Sequence, residues 1–451
     1  MNDIKHTPQA LWTSKWAFIL ATTGAAVGLG NIWRFPYMVG VNGGSAFVLL
    51  YLLFVALIGL PTMVAEIIIG RHARANPVDA LERTAIEQGH TKQWKWLGWW
   101  GALGLVLVLS FYSVVAGWSI AYLFHIFSGS MQHMNAEQIH QTWDSLMSQP
   151  IHMLGWHTVF MTLTMTVILF GVQQGLERAT KFMMPALYLI LFGLVIYSAI
   201  TGDFSKAFNF LFHFDLSKIT TSVVIAAMGH AFFTLALGAG AMLMYGAYVP
   251  NRVNIIQSVV IVAGLDVLVA VLSGLAIFPL VFEYNLPLQE GPGLMFTALP
   301  IAFAHMPGGM YVGGLFFLLL LFAAWTSSIN IAEPLIVIVI KKLKRTRAQA
   351  AVIVGFIAWF LGIGSILSFN VWKHVKLFNK FTLFDIATNL PTDIILPIGG
   401  LGFAVFAGWV MSKKTSRKSL NTKRPWLYYT WLTLTRFVAP LGIFIVFVTS
   451  F

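Results

Sequence analysis

No cysteine occurs among the 451 residues. Disulfide staples and thiolate metal centres are thereby excluded, and the redox compartment goes unread. Charge is scarce too: 10% of residues are Asp, Glu, Lys or Arg, against roughly 25% in soluble domains. With 58% hydrophobic residues and a mean hydropathy of +0.79, the chain is expected to be a polytopic membrane protein. Its start, MNDIKHTPQALWTSKW, lacks an apolar run followed by a small-residue cleavage site, so no cleavable signal peptide is expected. Catalytic signatures are missing as well. H-E-x-x-H, G-x-S-x-G and G-x-x-x-x-G-K-S/T do not occur, which removes the zincin, nucleophile-elbow hydrolase and P-loop classes, and no enzyme is expected. The histidines are scattered near span ends and loops; His230, inside an apolar run, reads as a packed, hydrogen-bonded core residue.

Acidic residues are the scarcer sign, 16 against 28 Lys and Arg, for a net charge of +12. In a soluble protein that excess would point to nucleic acid. Here the basic residues sit between apolar runs, so they report membrane orientation and no nucleic-acid partner is expected. Spans need about 20 apolar residues, and eleven are expected, at 15–38, 45–70, 97–127, 153–172, 180–201, 219–248, 254–283, 309–340, 348–369, 384–411 and 426–450. The stretch 284–308 holds Pro287, Pro292, Pro300 and Pro307 and reads as a re-entrant or surface loop with a short helix. The basic segments fall on one side, including KKLKRTR at 341–347 and KKTSRK at 413–418, while the other side holds only Lys206, Lys218, Lys373, Lys376 and Lys380. The bias puts the N-terminus in the cytoplasm and, after eleven spans of an inner-membrane protein, the C-terminus outside.

What is there in abundance is glycine in unexpected places. Residues 24–36 read GAAVGLGNIWRFP, with three glycines, Asn31 and Arg34 at the centre of an otherwise apolar span. Glycine weakens a helix by roughly 1 kcal/mol relative to alanine, and arginine at bilayer depth costs at least ~2.5 kcal/mol. The reading is a helix broken near the midplane, whose freed N–H and C=O groups face a ligand; a small-residue packing seam is the competing account. Gly238 and Gly240 repeat the spacing of Gly28 and Gly30 in the sixth span, within AMGHAFFTLALGAGA at 227–241. Paired broken spans point to an inverted-repeat transporter. The expected fold is an all-α membrane protein of eleven transmembrane helices, a 5+5 inverted repeat with helices 1 and 6 broken. It forms a single domain over 1–451, with repeats at 15–201 and 219–411 and an extra helix at 426–450.

The stretch at 14–71, from SKWAFILATTGAAVGLGNIWRFPYMVG to MVAEIIIGR, together with SFYSVVAGW at 110–118, AFFTLALGAGA at 231–241 and TSSIN at 326–330, resembles the neurotransmitter:sodium symporter family. The likeness is to its short bacterial, eleven-span members that take up hydrophobic amino acids. The resemblance implies sodium-coupled import of hydrophobic or aromatic L-amino acids by alternating access, as a monomer or weak dimer in the bilayer. A substrate sensor without flux, or the same fold coupled to protons, stays open beside it. Two sodium sites are implied. The first uses the Ala26 carbonyl, Asn31, Thr234 and Asp266. The second uses carbonyls of Gly24, Val27 and Ala323 with the hydroxyls of Thr326 and Ser327, which have the alternative of bonding back to their own helix.

For the substrate, the resemblance implies that the N–H groups of Leu29 and Gly30 and the Tyr112 hydroxyl hold a carboxylate. Carbonyls of Ala26, Phe233 and Thr234 hold an ammonium, and Val108, Phe233, Ala236, Ala239 and Ile331, with Ser327 beside them, line the side-chain pocket. Glycine at 28 goes with substrates that bring their own carboxylate. The outer gate is implied to be Arg34 with Asp385, Asp393 being the alternative, over Tyr112 and Phe233. Trp12, Tyr248 and Glu333 match the inner gate, but the family's arginine–aspartate pair falls on Gln9 and Lys341, so the usual inner salt bridge is expected to be missing. Gly175 and Pro185 match a motif that lets the fifth span unwind, a proline near a helix start being the plainer account. Chloride is not expected to be required, because Asp266 supplies the negative charge itself.

Overall fold

The structure, a computed structural model, describes residues 11–288, 293–377, 380–422 and 424–449. Among these residues the chain is helical throughout, and no strand forms beyond a lone bridge between Leu377 and Phe381. The first half comprises α1 (Lys15–Ala26), α2 (Gly30–Val41), α3 (Ser45–Ala73), α4 (Pro77–Glu87) and α5 (Lys92–Phe127). It continues with α6 (Ala136–Ser148), α7 (Pro150–Leu169), α8 (Val172–Thr201) and α9 (Phe204–Phe212). The second half comprises α10 (Thr221–Thr234), α11 (Ala241–Ala247), α12 (Ile255–Glu283), α13 (Leu294–His305) and α14 (Gly309–Leu343). Then come α15 (Arg347–Leu367), α16 (Leu383–Val410), α17 (Lys413–Leu420) and α18 (425–449).

Eight of these are long and apolar enough to cross a bilayer, and a ninth span results when α1 and α2 count as one bent pair. The sixth expected span is divided between α10 and α11, each too short to cross alone. The 284–308 stretch carries the short helix α13, while Pro292 lies outside the described residues. The short helices α4, α6, α9 and α17 were not read from hydropathy. Each begins at a side-chain cap, Asn76, Asn135, Asp203 and Ser412 respectively, a signal that a search for long apolar runs passes over.

Two faces are defined by contacts between span ends. On one, Lys15 Nζ reaches Gln257 at 3.0 Å, Lys342 pairs with Asp79 at 2.6 Å, and Arg74 donates to the Ala247 carbonyl at 2.8 Å. This is the basic face, and Gln88 ties α17 to it through Thr415 at 3.3 Å. On the opposite face Ser45 donates to the His213 carbonyl at 2.6 Å, and Asn370 to the Met147 carbonyl at 3.0 Å. There the aromatic rings of Trp118, Trp143, Tyr122 and Phe296 join α5, α6 and α13, with centroids 5.2–6.2 Å apart.

Both broken helices lie inside the bundle. α1 stops where Val27 turns extended (ψ 115°), and the chain bends by 53° into α2. Between α10 and α11, Ala236, Gly238 and Gly240 all take positive φ (49°, 88° and 79°). Glycine adopts that region at no steric cost, so two of the three positions suit their residue. Close backbone contact then seats α11 on α3. A Cβ on Gly70 would strike the Leu243 backbone, and one on Gly246 the Ile67 backbone. Enlarging Gly70 forces these helices apart, an overpacking cost of about 3 kcal/mol. Gly70→Leu is therefore expected to lower the yield of monodisperse protein in detergent by at least about tenfold, read by size-exclusion chromatography.

Candidate functional site

The unwound turns place backbone polar groups in the middle of the bundle, where each needs a partner. At the first break the Gly28 N–H donates to Asn31 Oδ1 at 3.0 Å and the Leu29 N–H to the Tyr112 hydroxyl at 2.8 Å. The carbonyls of Gly24 and Val27 accept from Ser327 Oγ, at 3.3 and 2.8 Å. Ser327 thus reaches across from α14. Its neighbour Thr326 bonds back to the carbonyls of Phe322 and Ala323, at 2.9 and 3.1 Å. Gly24, Val27, Ala323, Thr326 and Ser327 are accordingly one oxygen-rich cluster. Gly28 has no room for a side chain: a Cβ would lie 2.5 Å from Ser327 Oγ and collide with the Tyr112 hydroxyl.

A second cluster sits beside it. Asn31 Nδ2 donates to Thr234 Oγ1 at 2.9 Å and to Asp266 Oδ1 at 2.7 Å. Thr234 donates to Asp266 Oδ2 at 3.0 Å, and the Tyr51 hydroxyl approaches the same oxygen at 3.4 Å. All four side chains are buried. A buried carboxylate is tolerated where donors surround it, and Asp266 has three. Ala26 lines the adjoining pocket. His230 lies against Phe35, Phe47 and Tyr51, with ring centroids 5.3–5.8 Å away. It is packed as expected, but neither ring nitrogen has a protein hydrogen-bond partner among the described residues.

The pocket itself is a narrow cavity of about 50 Å³. Ala26, Gly30, Val108, Tyr112, Phe233, Ala236, Ala239, Ser327 and Ile331 all line it, along with Gly28 and with Ala25, Leu105, Ala241 and Leu396, four residues not among the expected site residues. Leu29 lies just above, in a vestibule of about 420 Å³ that shares Tyr112 and Phe233 with the pocket. Arg34 and Asp385 both line this vestibule without bonding each other. The Arg34 guanidinium sits 4.5 Å over the Phe233 ring. Asp385 Oδ2 accepts from the Thr382 N–H and hydroxyl, at 2.9 and 2.8 Å, and so caps its own helix. Asp393 is exposed and accepts from Thr392 at 2.8 Å.

Toward the basic face the side chains are packed and bonded together. Trp12 is buried, its indole donating to the Tyr245 carbonyl at 3.2 Å and its N–H to that of Tyr248 at 3.0 Å. The Tyr248 hydroxyl donates to Glu333 at 2.8 Å, and Arg347 grips the same carboxylate through both terminal nitrogens, at 2.5 and 3.2 Å. Lys341 is exposed, and Gln9 lies outside the described residues. An ion pair does close this face, then, through Arg347. One arginine in a cluster of five basic residues carried no mark to single it out. Glu66 was missed too. It accepts from the Gly238 N–H at 2.7 Å and so steadies the second break. As a lone acid in the apolar run MVAEIIIG, it had a readable signal. Gly175 falls in a widened helical turn at the start of α8, where a Cβ would strike the Val167 carbonyl, and Pro185 lies within that helix.

The sequence model of the sodium:neurotransmitter symporter family matches residues 9–150 and 138–451. The chain belongs to that family. It is therefore a multi-pass membrane transporter and not an enzyme. An uncharacterised sodium-dependent transporter of Bacillus subtilis, YhdH, is 37% identical over 97% of this chain and 96% of its own length. The dopamine transporter of Bos taurus is 24% identical over 97% of this chain and 68% of its own. The crystal structure of MhsT in complex with L-phenylalanine superposes with a TM-score of 0.91 at 39% identity, covering 98% of this chain and all of that one. Within this family member, Glu333 is fully buried while Arg347 is partly exposed, so removing the arginine strands a buried charge, at about 3–5 kcal/mol. Arg347→Ala is expected to accelerate hydrogen exchange at 241–248 by at least about tenfold, measured by mass spectrometry, with the far helices of the opposite face unchanged.

Proposed function

We propose that this transporter couples sodium entry to the uptake of hydrophobic and aromatic L-amino acids by alternating access, with the basic face and the N-terminus in the cytoplasm. The observation that carries the reading is the convergence of the Gly24 and Val27 carbonyls on Ser327, directly beside an apolar pocket. Small hard cations take oxygen ligands, and unwound backbone supplies them without net charge. One ion would sit among Gly24, Val27, Ala323, Thr326 and Ser327. A second would sit among Ala26, Asn31, Thr234 and Asp266, the Asn31 amide turning its oxygen inward. The Leu29 and Gly30 N–H groups and Tyr112 would hold the substrate carboxylate, while the Ala26, Phe233 and Thr234 carbonyls hold its ammonium. MhsT, similar to this chain along its whole length, was solved with L-phenylalanine, and the alanines at 236 and 239 give the pocket small apolar walls.

In this reading the structure is closed toward the cytoplasm and open through the Arg34 vestibule. A tenfold sodium gradient supplies about 1.4 kcal/mol per ion, and 100 mV adds about 2.3 per charge. Two ions therefore drive roughly five decades of accumulation. In proteoliposomes, leucine, phenylalanine and tryptophan are expected to enter only with sodium. Joint replacement Thr326→Ala and Ser327→Ala should reduce that uptake at least about a hundredfold. Full uptake in potassium or choline buffer, or glutamate or lysine displacing tryptophan, would contradict the proposal.

Asp266 also bears on anion use. Its carboxylate lies within the proposed first ion site and offsets the cation's charge, so chloride is not needed. Sodium-dependent uptake is expected to be equal in chloride and gluconate media. Asp266→Asn should weaken sodium affinity about tenfold or more, with partial recovery in chloride. A wild-type requirement for chloride would remove Asp266 from this role.

A further inference from the structure

Away from the transport path, the outer surface carries a groove of about 490 Å³ between α7 and α15. It is lined by Thr158, Thr162 and Thr166 on α7 and by Ala351, Gly355 and Trp359 on α15. The threonines look polar in sequence but offer nothing outward. Thr158, Thr162 and Thr166 donate to the carbonyls four residues back, at 2.7, 2.8 and 2.7 Å, and Thr158 also accepts the Trp359 indole N–H at 2.8 Å. The small residues are spent within the chain, since a Cβ on Gly355 would already lie 2.9 Å from Met165. Large apolar side chains line it too, with Val352 and Phe356 exposed by 70% and 60%. A surface of this kind on two membrane spans faces acyl chains.

Length and charge narrow the occupant. From Leu169 to Thr158 the α7 wall runs about 16 Å at 1.5 Å per residue, close to one leaflet of a ~30 Å hydrocarbon core. The groove meets the basic face at Leu169 and Ala351, beside the turn that holds Lys344 and Arg345. Of the cluster at 341–347, Lys342 pairs with Asp79 and Arg347 with Glu333. Lys344 and Arg345 are exposed and meet no carboxylate among the described residues. Basic residues just beyond a membrane span attract anionic headgroups. We propose that the groove between α7 and α15 seats one acyl chain of an anionic phospholipid, whose phosphate headgroup lies against Lys344 and Arg345. Arg347 joins this site to the inner closure, because its Nε donates to the Ile168 carbonyl at 2.6 Å while its terminal nitrogens hold Glu333.

The test uses the full-length protein in nanodiscs holding equal amounts of dioleoylphosphatidylglycerol and dioleoylphosphatidylcholine, followed by native mass spectrometry of retained lipid. One phosphatidylglycerol is expected to stay bound in preference. Each basic group contributes roughly fivefold, so joint Lys344→Gln and Arg345→Gln should lower its retention about twenty-five-fold. Thr162→Phe, which fills the groove from an exposed position, should lower retention too while leaving the thermal melt unchanged. Equal retention of the two lipids, unaltered retention after charge removal, or a dimer split by Thr162→Phe with lipid retention unaffected would each overturn the proposal.

Discussion

The constraint on which this structure turns is that a backbone polar group in the bilayer must find a partner inside the protein. An unbroken helix meets it locally, whereas α1 and α10 give that up at 27–29 and 235–240. Several of the groups freed there recruit a side chain from elsewhere: Tyr112 from α5, Ser327 from α14 and Glu66 from α3. The candidate site is the set of these contacts. Helices far apart in sequence are tied together at the depth where a substrate would be held.

Buried charge follows the same logic at a higher energy scale. Asp266 is tolerated because Asn31, Thr234 and Tyr51 converge on it. Glu333 is tolerated because Tyr248 and Arg347 do. The two sites differ in how they are satisfied. Glu333 has a full cationic partner and makes a latch, whereas Asp266 has only neutral donors and lacks a cationic partner among the described residues. Arg34 is the converse case, a cation resting on an aromatic face with its carboxylate neighbours occupied in their own turns. In a transporter, such incompletely matched groups are where two conformations can differ in energy by only a few kcal/mol.

Much of the fold was legible in the chain. Long apolar runs located the spans, and glycine pairs at 28/30 and 238/240 located both breaks, because such runs and glycines have only local physics to obey. The candidate site was legible only through family resemblance. No periodicity tells Tyr112 or Phe233 from ordinary core aromatics, yet one accepts the freed Leu29 N–H and both line the pocket. The amphipathic helices α4, α6, α9 and α17 went unseen, since their signal is a cap and a modest apolar face.

What the sequence by itself determined is the class of solution: a membrane-embedded bundle, its basic segments gathered on one face, with helices interrupted at two glycine-rich points. Those follow from composition and from the cost of glycine and charge in a helix. Only the tertiary structure decided which arginine closes the basic face, since Arg347 and Lys341 are equivalent in charge and differ in reach. It alone decided that Asp385 caps its own helix while lining the vestibule, and that three exposed threonines on α7 bond back to their own helix along an otherwise apolar groove. Partner choice among like residues is set by distance and direction across the bundle, and a linear chain does not carry those quantities.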